Sequence, residues 1–221
     1  MRNEIKLTVD VVIFTMQDKV LKTLLVRRKY SPFQGVWAIP GGFVELNESL
    51  EDAAKRELLE ETGVKNVYLE QLYSFGDVGR DPRGRIVTIA YYSLINSESL
   101  QLRADSDASE AMLFPVRKLP KLAFDHDKII NYALKRLKWK FEYTKIAFSI
   151  LPKKFTLTQL QEIYEMIFSK EFDKRNFRKK ILSLGILKEE KTLTEVSYRP
   201  PKLYSLKKAG DEIIEIIKPG A

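Results

Sequence analysis

Apolar residues follow two rhythms along this chain, and the change comes near residue 140. Before it, strand-type blocks dominate. Residues 8–14 (TVDVVIF) and 20–27 (VLKTLLVR) predict strands joined by a turn at Asp18-Lys19. Residues 67–75 (VYLEQLYSF) alternate like a half-buried strand, 86–95 (IVTIAYYSLI) form a longer buried one, and 113–120 (LFPVRKLP) a short strand and turn. Between the last two, 97–110 is polar and acidic and reads as a surface loop. Two stretches have helical spacing instead. One starts at Ser49, which with Asp52 has the form of a capping box, and stops at Gly63, where a left-handed cap is wanted. Its apolar face is Leu50, Ala54, Leu58 and Leu59. The other covers 126–138, with Ile129, Ile130, Ala133 and Leu137 at helical intervals. This is an α/β (α+β) pattern, helices packing on a mixed sheet.

Residues 139–144 read as a junction. After it come a short apolar helix, 145–151, ending before Pro152, and a helix over 158–168 with Thr158 as N-cap and Leu160, Ile163, Tyr164 and Ile167 inward. A second helix, 173–184, is stopped by Gly185, with Phe177, Ile181 and Leu184 inward. Strands at 186–190 and 203–206 flank a polar loop, 191–202, and a last helix covers 209–217. Three helices and then a hairpin is the order of a winged helix-turn-helix. The expected domains are 1–139 and 145–221.

Composition narrows the chemistry. The 221 residues are 44% hydrophobic and 31% charged, as in a globular protein. With no cysteine, disulfides and thiolate metal sites are excluded. No segment resembles a signal peptide or a membrane span, so a cytoplasmic location is expected. The net charge of +8 is uneven: residues 1–139 carry 21 Lys+Arg against 19 Asp+Glu, and 140–221 carry 17 against 11. A basic second domain fits an acidic polymer, double-stranded DNA above all.

Three clusters carry candidate chemistry. Glu57, Glu60 and Glu61 sit at i, i+3 and i+4 of the first helix, converging on one face. Such hard oxygen ligands suit Mg²⁺ or Mn²⁺ shared with a substrate phosphate, and Gly41-Gly42 just before them lets backbone approach closely. Basic side chains follow at Arg27, Arg28 and Lys29, and again at Arg80, Arg83 and Arg85 in the turn-rich loop 76–85. In the helix over 173–184, Lys174, Arg175, Arg178 and Lys179 face outward. Arg175, Asn176 and Arg178 are the candidates for base edges, and Lys174, Lys179 and Lys180 for phosphates.

The spacing from Gly42 through Glu48, Arg56, Glu57, Leu58, Glu60 and Glu61 to Gly63-Val64 resembles the Nudix box at every fixed position. The resemblance implies an α/β/α sandwich with a mixed sheet, and hydrolysis of a phosphoanhydride in a nucleoside diphosphate linked to another group. It implies metal ligands at Glu57, Glu60, Glu61 and the Gly41 carbonyl. Arg56 would lock the constellation by pairing with Glu48 and Glu60, and Glu57 leads as the base. The loop over 75–85 resembles Nudix proteins that handle ADP-ribose, with Arg80, Arg83, Arg85 and the earlier Arg27 toward phosphate; His126 is expected to be structural, at a helix start. Together with 155–161 (FTLTQLQ), Tyr164-Glu165 and 173–178 (DKRNFR), the whole chain resembles the Nudix-related transcriptional regulators. These are dimers whose Nudix domain senses ADP-ribose or a pentose while the winged domain holds the operator. Some have a degraded box; here all carboxylates are present, which keeps hydrolysis open. The alternatives are a hydrolase whose basic tail only dimerises or docks a partner, and a catalytically silent sensor.

Overall fold

The computed structural model describes residues 4–97, 100, 108–190, 201–207 and 216, and the chain forms two compact units, Met1–Lys135 and Arg136–Ala221. In the first, strand β1 (Lys6–Gln17) is the axis of a mixed sheet. It pairs antiparallel with β2 (Val20–Arg28) and parallel, over eleven residue pairs, with β6 (Ile86–Asn96). Its buried stretch from Thr8 to Thr15 is mostly apolar, reflecting burial on both faces as a central strand requires. Asp18 and Lys19, both at positive φ (55° and 59°), close the β1–β2 hairpin in two residues. The short strands β3 (Trp37–Ala38) and β4 (Gly41–Phe43) pair with β2 and β1, and β5 (Glu70–Phe75) forms the outer edge on β6.

Helix α1 (Leu50–Thr62) buries Ala53, Ala54 and Leu58 against Val9, Val11, Ile13 and Leu24 of the sheet. Leu59, expected on this face, is 46% exposed; one residue beyond Leu58 is about 100° further round a helix. Ser49 caps the helix by accepting the Asp52 N–H, and Gly63 ends it at φ 75°. The expected capping box is only half formed, because the Asp52 carboxylate accepts from the Ser49 hydroxyl rather than from backbone.

Elements differ from the sequence reading where pairing or packing outweighs local pattern. Strand β7 (Ala108–Pro115) begins inside the stretch read as loop, because β2 offers it an open edge from Lys22 to Arg28. Helix α2 (His126–Tyr143) runs through the expected junction; buried Phe141 continues its apolar stripe, and no Gly or Pro interrupts it. The division between the two units falls within this helix.

In the second unit, the short helix expected over 145–151 is a 3₁₀ helix, Lys145–Ile150. Helix α3 (Leu157–Phe168) is capped by Thr156, not Thr158, in a reciprocal box with Gln159. Helix α4 (Lys174–Ser183) is capped by Asp173 and buries Phe177 and Ile181, with Leu184 half-buried just past its end. Tyr164, Phe168, Phe172 and Phe177 form the aromatic core between α3 and α4, and the Tyr164 hydroxyl donates to the Phe141 carbonyl. Strands β8 (Leu187–Glu190) and β9 (Leu203–Leu206) make the wing. The predicted helix over 209–217 and nearly all of the loop over 191–202 lie outside the described residues. Among the described residues no helix is long and apolar enough to cross a membrane.

Candidate functional site

The site begins where Gly41-Gly42 passes under α1. The Gly41 N–H donates to Glu61 Oε2 at 2.9 Å. A Cβ on Gly42 would lie 2.2 Å from Glu57 Oε1, and one on Gly41 would lie 2.1 Å from the Val9 carbonyl oxygen. Gly42 therefore lets the Glu57 carboxylate rest on this backbone, and Gly41 lets the strap lie close against β1.

Arg56 is the hub of the box. Its guanidinium donates to both oxygens of Glu48 (2.7 and 3.0 Å), to Glu57 (2.8 Å), to Glu60 (3.3 Å) and to the Phe43 carbonyl. The pairing with Glu48 and Glu60 is as expected, and Glu57 is an addition. Held by Arg56 and by the Glu45 N–H, the Glu48 carboxyl is pulled down to about 2. The Glu48 bonds likewise raise the Arg56 pKa, against partial burial.

The three box carboxylates do not converge. Glu57 and Glu61 border one cavity, whereas Glu60 does not and its side chain is 45% exposed. Helical geometry gives the reason: Glu61 lies about 40° from Glu57 round the axis, and Glu60 about 60° to the other side, toward Arg56. Among the described residues no three acidic or histidine side chains are close enough to hold a metal ion.

The cavity has a volume of about 350 Å³ and includes Gly41, Arg56, Glu57 and Glu61 in its wall. The expected basic residues distribute unevenly around it. Arg83 borders it, fixed by Asp81 (2.7 and 3.0 Å) and set over the rings of Phe43 and Phe124. Arg80 also borders it, but its side chain is only 4% exposed and its guanidinium is committed to Asp125 at 2.6 and 3.0 Å. Burial works against that charge; Asp125, Asp10 and Asp81 outweigh it and raise the pKa. Arg80 therefore ties the loop to the start of α2 rather than offering a free cation.

Arg85 donates to the Gly76 carbonyl and Arg27 to that of Gly35; neither lies on the cavity wall. Arg28 lies there in place of Arg27, since adjacent strand residues face opposite ways. Tyr30, Asp10 and Phe124 went unassigned by sequence reasoning, and Arg28 and Lys29 were read only as part of a basic run. The basic run at 27–29 was legible, but not which member points inward. His126 is buried at the start of α2, and its Nδ1 accepts the Ile39 N–H at 2.8 Å. Burial lowers its pKa, with Asp10 and Asp125 opposing and Arg80 and Arg28 assisting. Its role is to fix the strand that leads to Gly41.

On α4, Lys174, Arg175, Asn176 and Lys179 are exposed, while Arg178 and Lys180 are half-buried. Arg178 turns back toward α3, donating to the Thr158 hydroxyl at 3.2 Å, and its buried Nε has no hydrogen-bond partner. The exposed four form the outward basic face; Arg178 is held within the helix pair.

A glycine strap carrying two glutamates beside a guanidinium hub, followed by a winged helix, defines a Nudix domain joined to a DNA-binding module. The NUDIX domain model matches residues 4–133, and the model of the NrtR DNA-binding winged helix domain matches 147–206. The chain is 39% identical over 201 residues to the ADPR responsive transcriptional repressor NtrR of Acinetobacter baylyi, covering 90% of this chain and 80% of that one. It is 42% identical over 123 residues to the ADP-ribose pyrophosphatase of Methanocaldococcus jannaschii, covering 56% and 70% respectively. Among solved structures, Shewanella oneidensis NrtR complexed with a 27mer DNA superposes with a TM-score of 0.74 at 37% identity, covering 91% of this chain and 93% of that chain. The NUDIX domain of the same protein complexed with ADP ribose gives a TM-score of 0.56 at 42% identity, covering 61% and 89%. This chain belongs to the NrtR family of Nudix-domain transcriptional regulators.

Proposed function

We propose that this protein is a transcriptional repressor that holds operator DNA as a dimer and releases it when ADP-ribose, or a close nucleoside diphosphate sugar, fills the Nudix cavity. The observation that carries this reading is the polarity of the cavity wall. Arg28, Lys29 and Arg83 form a cationic side suited to a diphosphate, and Glu57 with Glu61 form an acidic one. Tyr30, 62% exposed on the cavity wall, offers a ring face on which a base stacks. The Acinetobacter repressor and the Shewanella domain with ADP ribose support the choice of ligand. Lys174, Arg175, Asn176 and Lys179 are the DNA-facing set, with Lys180 at its edge, and Arg178 acts by holding α4 against Thr158.

The same cavity is suited to hydrolysis. Carboxylate and carbonyl oxygens are the donor set that Mg²⁺ or Mn²⁺ favours. Glu57, Glu61 and the Gly41 carbonyl would hold the ion, with Glu60 joining once released from Arg56. A divalent ion held by these groups would neutralise diphosphate charge and acidify water. Water then attacks phosphorus, the P–O–P bridge breaks to give AMP and ribose 5-phosphate, and Glu57 accepts the proton. Arg56 keeps Glu57 oriented through its 2.8 Å bond.

The test uses the full chain and duplex DNA selected by it from a random pool. ADP-ribose should weaken DNA binding at least tenfold. Glu57→Gln should abolish Mg²⁺-dependent AMP release while keeping the DNA response. Operator affinity unchanged at saturating ADP-ribose would overturn the regulatory reading. Absence of turnover by the unmutated protein would leave a sensor without catalysis.

A further inference from the structure

Asp10, on β1, is the part of the cavity wall that neither the box nor the basic loop explains. It is 6% exposed and borders the cavity beside Gly41, its partner in the β1–β4 register. Two cationic or polar side chains approach it, Arg80 Nη2 at 3.8 Å from Oδ2 and His126 Nε2 at 3.6 Å from Oδ1. Both separations exceed hydrogen-bond reach. Arg80 is committed to Asp125 at 2.6 and 3.0 Å, and His126 holds the Ile39 N–H at 2.8 Å. A carboxylate buried to this degree is costly unless donors reach its oxygens.

The chemistry of a ligand that completes this group is restricted. A phosphate is repelled by it, whereas a neutral hydroxyl donates to it. Two vicinal hydroxyls match the two oxygens of one carboxylate. Exposure sets the direction of the ligand. Tyr30 is 62% exposed, so its ring lies at the cavity mouth and Asp10 at its floor. A base on Tyr30 and a diphosphate at Arg28 and Arg83 bring the far sugar of the ligand to Asp10.

We propose that Asp10 is the specificity residue for the terminal sugar, its carboxylate accepting hydrogen bonds from two vicinal hydroxyls. This rests on the ADP-ribose reading above, and it separates the full nucleotide sugar from the nucleoside diphosphate alone. Unmutated protein, Asp10→Ala and Asp10→Asn are titrated calorimetrically with ADP-ribose and with ADP, in a chelator so that nothing turns over. The unmutated protein should prefer ADP-ribose by about 10- to 100-fold, the range expected for hydrogen bonds to a charged acceptor. Asp10→Ala should bind both ligands with the affinity of ADP, the preference having vanished. Asp10→Asn keeps the shape and one neutral acceptor, and should retain a reduced preference even where the alanine variant folds poorly. A preference kept in full in either variant, or an equal loss for both ligands, would overturn the assignment. If the unmutated protein binds neither ligand, the functional reading fails first, which is a different result from ADP-ribose binding whose preference ignores Asp10.

Discussion

Gly42→Ala isolates the geometry of the box from its charges. The backbone there is not in the left-handed region, so alanine is tolerated conformationally, but its methyl group would stand 2.2 Å from Glu57 Oε1 and 2.4 Å from Cδ. Something must move by more than an ångström to reach ordinary contact, and the side chain moves more readily than β4, which is hydrogen-bonded to β1. Glu57 then leaves its 2.8 Å bond to Arg56. Misplacing a reacting group by about 1 Å costs about 10²-fold in rate, near 2.7 kcal/mol on the barrier. Stability changes less: overpacking costs about 1–3 kcal/mol, offset by about 0.4–1 kcal/mol from a less flexible unfolded chain. The assay is Mg²⁺-dependent AMP release from ADP-ribose, with thermal unfolding as control. Gly42→Ala should fall to the level of Glu57→Ala, and the double variant should be no slower than either. Turnover within threefold of the unmutated protein in a folded Gly42→Ala would refute the claim that this contact positions the carboxylate.

Three further outcomes follow from particular contacts. Arg80→Ala leaves Asp125 and Asp10 buried without their guanidinium, which should cost about 3–5 kcal/mol in denaturant unfolding; a loss below 1 kcal/mol would mean the pair is not desolvated in solution. His126 has its folded pKa lowered by burial, so its contribution to stability is complete above about pH 6.5 and is lost as pH falls below that value, by at most about 1.4 kcal/mol per pH unit. His126→Gln should flatten the Tm-against-pH curve on the acid side, and an unchanged curve would assign the acid limb to other groups. Lys174→Ala and Arg175→Ala each remove one exposed cation of α4 and should each reduce the slope of log K against log salt by about 0.9 in DNA binding; an unchanged slope for both would move the DNA contact off this helix face.

How far the sequence could be read depended on whether a feature is local. The caps at Ser49 and Gly63 are set by a few neighbouring residues, and they were legible. So were β1 and β6, because burial on both faces leaves a dense, mostly apolar run. Strand β7 was not, since residues 108–112 become strand only by pairing with β2, a partner some eighty residues earlier. The arginines make the same point within the site. Arg27, Arg28, Arg80, Arg83 and Arg85 are equivalent as residue types. What separates them is whether a distant carboxylate or carbonyl has already engaged the guanidinium, as Asp125 has for Arg80 and Gly76 for Arg85. The box survived better because its spacing encodes helix angles, although the i, i+3, i+4 rule joined Glu60 to a pair that Arg56 divides.

The buried group formed by Asp10, Arg80, Asp125 and His126 shows what such distant partners contribute. Its charges do not cancel: two carboxylates face one guanidinium and a histidine whose pKa burial depresses. Taking these groups out of water costs about as much as their attraction returns, so an apolar cluster of similar volume would stabilise the fold at least as well. Net stability is therefore a poor reason for these residues. Position is a better one. Arg80 fixes the loop that carries Arg83 to the residue before α2, and His126 fixes Ile39, two residues before Gly41. The cationic side of the cavity and the strap under Glu57 and Glu61 are thereby pinned to one buried point. The same arrangement leaves Asp10, on the floor of the cavity, as the acid of this group without a close donor.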